Sequence, residues 1–233
     1  MTLELDVVTL FPGYFDWLRE TRPVRNAVAA GSLALRTIDL RGFGLGDYRQ
    51  ADDAPYGGGA GMVIRVDVVC AALEATYGGD IDAMLAARRV AVLTPVGREL
   101  TDAVVTELAG LERLTLLSGR YEGFDQRVHD HLANDEISVG RYILSGGEIA
   151  AMAVIDAVTR KLEGALGKRE SHEHDSYSEA LAGLPEYPHY TRPERFRGWG
   201  VPDVLRSGNH AAVARWRREA SAARGAAQGG SDL

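Results

Sequence analysis

Short apolar runs alternate along this chain with stretches of helical periodicity. Leu3-Glu-Leu-Asp-Val-Val-Thr-Leu10 alternates and then runs apolar, as a strand does. Residues 33–38, 90–93 and 113–117 read the same way, and 133–139 holds one more short strand. Helical spacing marks 15–30, 66–77, 99–108, 124–132 and 147–162. Strand, helix and strand at this spacing predict an α/β fold with a mostly parallel sheet, in which ligands sit past the carboxyl ends of strands.

The 147–162 segment is the best specified. Ala151, Val154, Ile155, Val158 and Leu162 form one apolar face, and Ser145-Gly-Gly-Glu148 reads as a capping box at its start. Beyond it the periodicity lapses, and the mostly polar stretch 163–175 reads as a mobile linker. Thr191-Arg-Pro-Glu194 resembles a second capping box. Asn209 is placed to cap a last helix on which Val213, Trp216 and Ala220 share a face, with Arg215 and Arg218 off it. Residues 225–233 are expected to fray. The resulting division is an α/β domain over 1–162, a flexible linker over 163–176 and a helical C-terminal domain over 177–233.

Composition narrows the function. The 233 residues, 45% of them apolar, suit one fair-sized domain or a larger and a smaller one. Neither a signal peptide nor an apolar run of membrane-spanning length is legible, so no membrane partner is expected. Cys70 is the single cysteine, which excludes an internal disulfide framework and a multi-cysteine zinc site. A cytoplasmic location fits. The net charge of −7 argues against nucleic acid, but its distribution does not. From 176 to 233 eight arginines face six acids, with clusters at Arg192, Arg195 and Arg197 and at Arg215, Arg217 and Arg218. A solvated face is the plainer account of such clusters.

Three glycine-containing loops follow predicted strands: Thr94-Pro-Val-Gly97, Gly119-Arg-Tyr-Glu-Gly123 and Ser138-Val-Gly-Arg-Tyr-Ile-Leu-Ser-Gly-Gly147. In a parallel sheet they crowd one edge, where backbone groups beside glycine can approach an adenine edge or a ribose. Three ordinary tight turns are the alternative. Neither a dinucleotide-binding Gly-x-Gly-x-x-Gly nor a phosphate-binding P-loop is present. Asp52-Asp-Ala-Pro-Tyr-Gly-Gly-Gly-Ala-Gly-Met62 is a flexible loop whose tyrosine can stack a base, or a surface turn. Arg160 and Lys161 complement a helix C-terminus, and Glu122, between glycines, is either an exposed turn carboxylate or a residue facing a cationic ligand. His129-Asp-His131 and His172-Glu-His174 diverge too far, or sit too loosely, to make a metal site, and no metal ligand is assigned.

Taken together, these segments resemble the bacterial tRNA (guanine-N1)-methyltransferases. The resemblance rests on the 52–62 block, Gly119-Arg-Tyr-Glu-Gly123, Tyr142-Ile-Leu-Ser-Gly-Gly-Glu148 and Ile155-Asp-Ala-Val-Thr-Arg160. Asp175-Ser-Tyr177, His189-Tyr-Thr-Arg-Pro193, Ser207-Gly-Asn-His210 and Arg215-Trp-Arg217 extend it in the family's order over nearly the whole chain.

The resemblance implies a knotted α/β domain of the SPOUT type with a deep trefoil, and a small helical C-terminal domain. It also implies a homodimer with a shared active site, and methyl transfer from S-adenosylmethionine to N1 of guanine 37 in the tRNA anticodon stem-loop. The implied cofactor contacts are Leu93, Pro95, Gly119, Tyr121, Ser138, Val139, Gly140, Arg141, Tyr142, Ile143, Leu144, Gly146 and Gly147. Asp175 matches the proposed general base, Arg160 its partner arginine and Glu122 a further site residue. Asp53, Tyr56, Gly58, Gly59, His189, Arg192 and Arg215 match substrate-binding positions. A magnesium ion (Mg2+) is compatible with an RNA substrate, although no ligand cage is legible. Arg141 stands where relatives carry aspartate, and the linker opens Glu-Gly-Ala-Leu-Gly-Lys-Arg in place of Pro-Gly-Val-Leu-Gly. The alternative readings are a related knotted methyltransferase for another RNA position and a non-catalytic RNA-binding module.

Overall fold

The computed structural model describes residues 1–166 and 175–229. The chain divides into two compact units, 1–167 and 168–233. In the first, five parallel strands lie in the order β2-β1-β6-β5-β7, with β1 Leu3–Thr9, β2 Leu33–Asp39, β5 Arg89–Glu99, β6 Arg113–Leu117 and β7 Asp135–Ser138. β3 (Asp52–Asp53) and β4 (Val63–Ile64) form a separate antiparallel ladder. The helices are α1 Asp16–Glu20, α2 Arg22–Ala29, α3 Val66–Tyr77, α4 Ile81–Ala87, α5 Asp102–Ala109, α6 Gln126–His131 and α7 Gly147–Lys161.

Two apolar clusters cover the two faces of the sheet. Leu3, Leu5 and Val7 of β1 join Leu18, Val24, Val105, Leu108, Val154 and Val158 on one side. Val8 and Leu10 join Val68, Leu73, Val90 and Val128 on the other. Strands buried on both faces explain why β5 and β6 read as near-continuous apolar runs. Asp6 is the buried charge on β1, at 3% exposure. Its carboxylate accepts bonds from Arg36 at 2.8 and 2.9 Å, from Arg88 at 3.2 Å and from the Tyr77 hydroxyl at 2.6 Å. Burial and the bond to Asp6 push the Tyr77 phenol well above its ordinary range.

Several expectations need correction. The helix expected over 15–30 is broken at Thr21, whose backbone is extended. Pro23 has no N–H to continue the ladder of α1 and instead opens α2. The strand expected at 90–93 runs from Arg89 to Glu99 with a bulge. Leu93 and Arg98 both pair with Ile137, so 94–97 leaves the ladder. Pro95 cannot donate there, and Gly97 admits the backbone of β7 at close range. α5 accordingly starts at Asp102, capped by Thr101, rather than at 99. The α7 N-cap is Gly146 without a side-chain cap, so Ser145 and Glu148 do not form the expected capping box. α4, capped by Asp80, was not anticipated.

The stretch read as a linker begins docked. Ala165 is buried and its carbonyl accepts from Asn26 at 3.2 Å, while the Glu163 carbonyl accepts from Ser32 at 2.7 Å. Residues 167–174 of that stretch, with His172 and His174, lie outside the described residues, and at its end the Asp175 carbonyl accepts from the Ser178 amide at 3.1 Å and the Ser176 hydroxyl from the Glu186 amide at 2.9 Å.

In the second unit, β8 (Arg195–Phe196) and β9 (Trp199–Gly200) form a small hairpin, followed by α8 (Asp203–Arg206) and α9 (His210–Gly229). No helix follows Thr191-Arg-Pro-Glu194. The Glu194 carbonyl accepts from Val201 across the hairpin, and its carboxylate pairs with Arg206 at 2.9 Å, which removes it from any cap. Asn209 does cap the last helix, accepting from the Ala212 amide at 3.1 Å. That helix runs through 225 to Gly229 rather than fraying there, held in part by the buried Ser221 hydroxyl donating to the Pro185 carbonyl at 2.7 Å. Among the described residues no helix is long and apolar enough to cross a membrane.

Candidate active site

β6, β5 and β7 are neighbours in the sheet, so the chain leaving their carboxyl ends converges. It encloses a pocket of about 400 Å³, within the range of small-molecule sites. Every residue expected at the cofactor contributes to its wall except Arg141, which is exposed beside it. The walls are fixed largely by backbone. The Gly147 amide donates to the Gly119 carbonyl at 2.7 Å, and Arg120 bridges Gly146. A side chain at Gly147 would stand 3.0 Å from Gly119 N and from Ser118. Ser138 closes the third loop on itself, its hydroxyl donating to the Gly140 carbonyl at 3.1 Å. Tyr121 holds φ at 59°, a conformation costly for a side chain of that size, in the pocket wall.

Sequence reasoning missed Arg120, Phe124, Gln126 and His129, which also line the pocket. His129 sits on α6 with its Nδ1 2.7 Å from Glu136, and the only hint of it was a histidine pair read as surface. Among the described residues no three metal-ligating side chains cluster.

The 52–65 loop is attached to this pocket. The Glu122 amide donates to the Met62 carbonyl at 3.0 Å, Ile64 N to the Gly123 carbonyl at 2.9 Å, and Asp125 N to the Ile64 carbonyl at 3.0 Å. Arg65 clamps the loop base, 3.0 Å from Asp53 and 2.8 Å from Asp67, and holds the Asp67 carboxyl below its usual range. Gly57, Gly58, Gly59 and Gly61 all take positive φ, a run that only glycine sustains cheaply. Tyr56 at the tip is fully exposed. Asp53, Tyr56, Gly58 and Gly59 thus belong to one loop whose root touches Glu122.

The remaining expected site residues belong to other elements. Arg160 is in the last turn of α7, ten residues beyond Ala150 in the pocket wall and so roughly 15 Å along the helix from it. Asp175, His189, Arg192 and Arg215 belong to the second unit. There His189 lies 2.8 Å from Glu186 with its ring 4.9 Å from Tyr187, over which Arg217 stacks at 4.6 Å. Arg192, Arg215, Arg217 and Arg218 are exposed, as are Phe196 and Trp199, and the Arg197 guanidinium lies 5.4 Å from the Phe196 ring centre. Cations beside aromatic faces are suited to phosphate and unstacked bases.

A family model described as tRNA (Guanine-1)-methyltransferase TrmD matches residues 3–232. Three proteins named tRNA (guanine-N(1)-)-methyltransferase are among the relatives. That of Sorangium cellulosum is 50% identical, covering 93% of this chain and 88% of its own. That of Thermus thermophilus is 49% identical over 91% and 84%. That of Dehalococcoides mccartyi is 46% identical over 94% and 86%. With the match spanning both units, the chain belongs to the tRNA (guanine-1)-methyltransferase family of tRNA-modifying enzymes.

Proposed function

We propose that this protein transfers a methyl group from S-adenosylmethionine to N1 of the guanine at position 37 of tRNA. The observation that carries the reading is the convergence of three strand-end loops on one pocket, two of them rich in glycine. Gly119, Gly140, Gly146 and Gly147 bring peptide groups to its wall, a lining suited to hydrogen-bonding an adenosine. When bound, the donor supplies an electrophilic methyl on a sulfonium. We read the segments crossing at Gly119 and Gly147 as part of a trefoil knot, and the protein as cytoplasmic. No magnesium ligand is assigned to the chain.

Guanine N1 bears a proton at neutral pH, so its lone pair is not free to attack. Asp175 accepts that proton as the N1–carbon bond forms and the carbon–sulfur bond breaks. Negative charge developing on O6 is met by the permanently charged guanidinium of Arg160, which donates to it. Glu122, rooted under the 52–65 loop, orients the base. Tyr56 and the glycines beside it pack against the anticodon loop, and His189, Arg192 and Arg215 engage the tRNA backbone.

We infer a homodimer with a shared site. Its support is the position of Arg160, roughly 15 Å along α7 from its own pocket, beyond the reach of one arginine side chain. A second copy can present that residue to the pocket.

The test is mass mapping of methylated guanosine in transcribed tRNA. Wild type is expected to yield product at position 37 and Asp175→Ala almost none. Equal product from both removes Asp175 from the mechanism.

A further inference from the structure

Glu148 is 1% exposed, yet it sits in the first turn of α7 directly after the two glycines that wall the pocket. A buried carboxylate is costly unless it is paired, and its two oxygens are divided between two other chain segments. Oε1 accepts from the Thr9 hydroxyl at 2.9 Å, at the end of β1. The Thr9 oxygen in turn accepts from the Phe11 amide at 3.0 Å. Oε2 lies 2.8 Å from Arg120 Nε, the residue after Gly119. Among the described residues neither of those two atoms makes an aligned hydrogen bond, so the contact is one of charge in a dry setting.

Arg120 is held on its other sides as well. It donates to the Ser145 carbonyl at 3.2 Å, and its guanidinium lies 4.5 Å from the Phe11 ring centre and 5.3 Å from that of Tyr14. The turn is closed on this pair, because a side chain at Gly146 would collide with both Arg120 and Glu148. Arg120 and Gly146 line the pocket, while Glu148 stands behind them.

We propose that Glu148, bridging Thr9 and Arg120, is a positioning residue that sets the spacing of the two glycine turns and so the affinity for the methyl donor. The proposal rests on the cofactor reading given above. Three segments far apart in sequence, 9–14, 118–120 and 145–148, meet at one carboxylate, and two of them carry the peptides that wall the pocket. Neutralising Glu148 keeps an acceptor for Thr9 but releases Arg120. Removing the Thr9 hydroxyl does the reverse, leaving Oε1 without its donor.

The experiment compares wild type, Glu148→Gln, Thr9→Val, Arg120→Lys and Arg120→Ala by calorimetric titration with S-adenosylmethionine and by steady-state kinetics. Thermal unfolding confirms that each variant is folded. Glu148→Gln and Thr9→Val are expected to weaken donor binding about tenfold. KM for the donor should rise while KM for tRNA stays near wild type. Arg120→Lys, which keeps the charge, should retain more affinity than Arg120→Ala. Should Glu148→Gln fail to fold, Thr9→Val carries the test alone, since it is near-isosteric and creates no buried charge. Wild-type affinity in the folded variants, or a parallel rise in both KM values, overturns the proposal. An absence of binding heat in wild type instead overturns the cofactor reading, so the two failures are distinct.

Discussion

Gly61 makes room for Glu122. A side chain at Gly61 would collide with the Glu122 carboxylate, and its φ of 89° disfavours any other residue as well. The two positions are some sixty residues apart, joined through the bond from the Glu122 amide to Met62. Gly61→Ala is therefore expected to displace Glu122 and lower kcat by about 10- to 100-fold, the usual effect of small misplacement at a reacting centre. Donor binding by calorimetry should stay close to wild type. A variant with full kcat would separate Glu122 from the chemistry.

The distance of Arg160 from its own pocket leads to a mixing experiment. Arg160→Ala keeps an intact pocket, and a bulky substitution, Gly147→Trp, keeps Arg160 but closes the pocket. Each alone should be nearly inactive. Co-refolded, they should recover up to roughly a quarter of wild-type activity through mixed dimers with one complete site. No recovery, with mixed dimers verified by mass spectrometry, would place Arg160 and the pocket it serves on the same subunit.

Asp6 governs stability rather than turnover. Removing it leaves Arg88, whose side chain is 6% exposed, without its buried counter-charge. Breaking such a pair costs about 3–5 kcal/mol. Asp6→Ala should lower the urea midpoint accordingly, while Asp6→Asn, which keeps an acceptor for Tyr77, should cost less. A midpoint unchanged in Asp6→Ala would mean that the network contributes no net stability.

At the far edge of the sheet, Arg98 holds Glu107 below the ordinary glutamate range, chiefly by hydrogen bonding. A carboxyl depressed in the folded state contributes stability above its unfolded pKa and loses it as pH falls through the lower folded value. The difference between wild type and Glu107→Gln should thus be fully present at pH 7 and shrink as pH falls from about 5 toward 3. Both partners are partly exposed, so the difference stays below ~1 kcal/mol. Denaturation midpoints over that range, at low salt, measure it, and a gap that widens on acidification would contradict the assignment.

Periodicity made the frame of the first unit legible. The five sheet strands and α3 could be read from apolar spacing, and α7 nearly to its last residue, because burial on both faces leaves few ambiguous positions. The turns were legible only as glycines. That Gly147 donates to Gly119 depends on how segments thirty residues apart cross, which no local pattern encodes. Glu148 shows the same limit from the other side. Its spacing from Ser145 fits a cap, but the nearby Thr9 hydroxyl and Arg120 supply partners that a helix N-terminus does not. Arg120 itself went unremarked because an arginine in a loop reads as solvated, and only the Phe11 and Tyr14 rings reveal that it is enclosed. In the second unit, a two-strand hairpin of four residues was too short to leave a period at all.

The strand order has a consequence for synthesis. β1 leaves the ribosome roughly a hundred residues before its central partner β6, as the pairing of Glu4 with Arg113 requires. Until then β1 has only β2 beside it, and one of its edges is bare. Because such distant pairing must close a long loop before any contact rewards it, the emerging chain has a prolonged interval of exposed apolar strand, and a molecular chaperone supplied during translation should raise the yield of active protein.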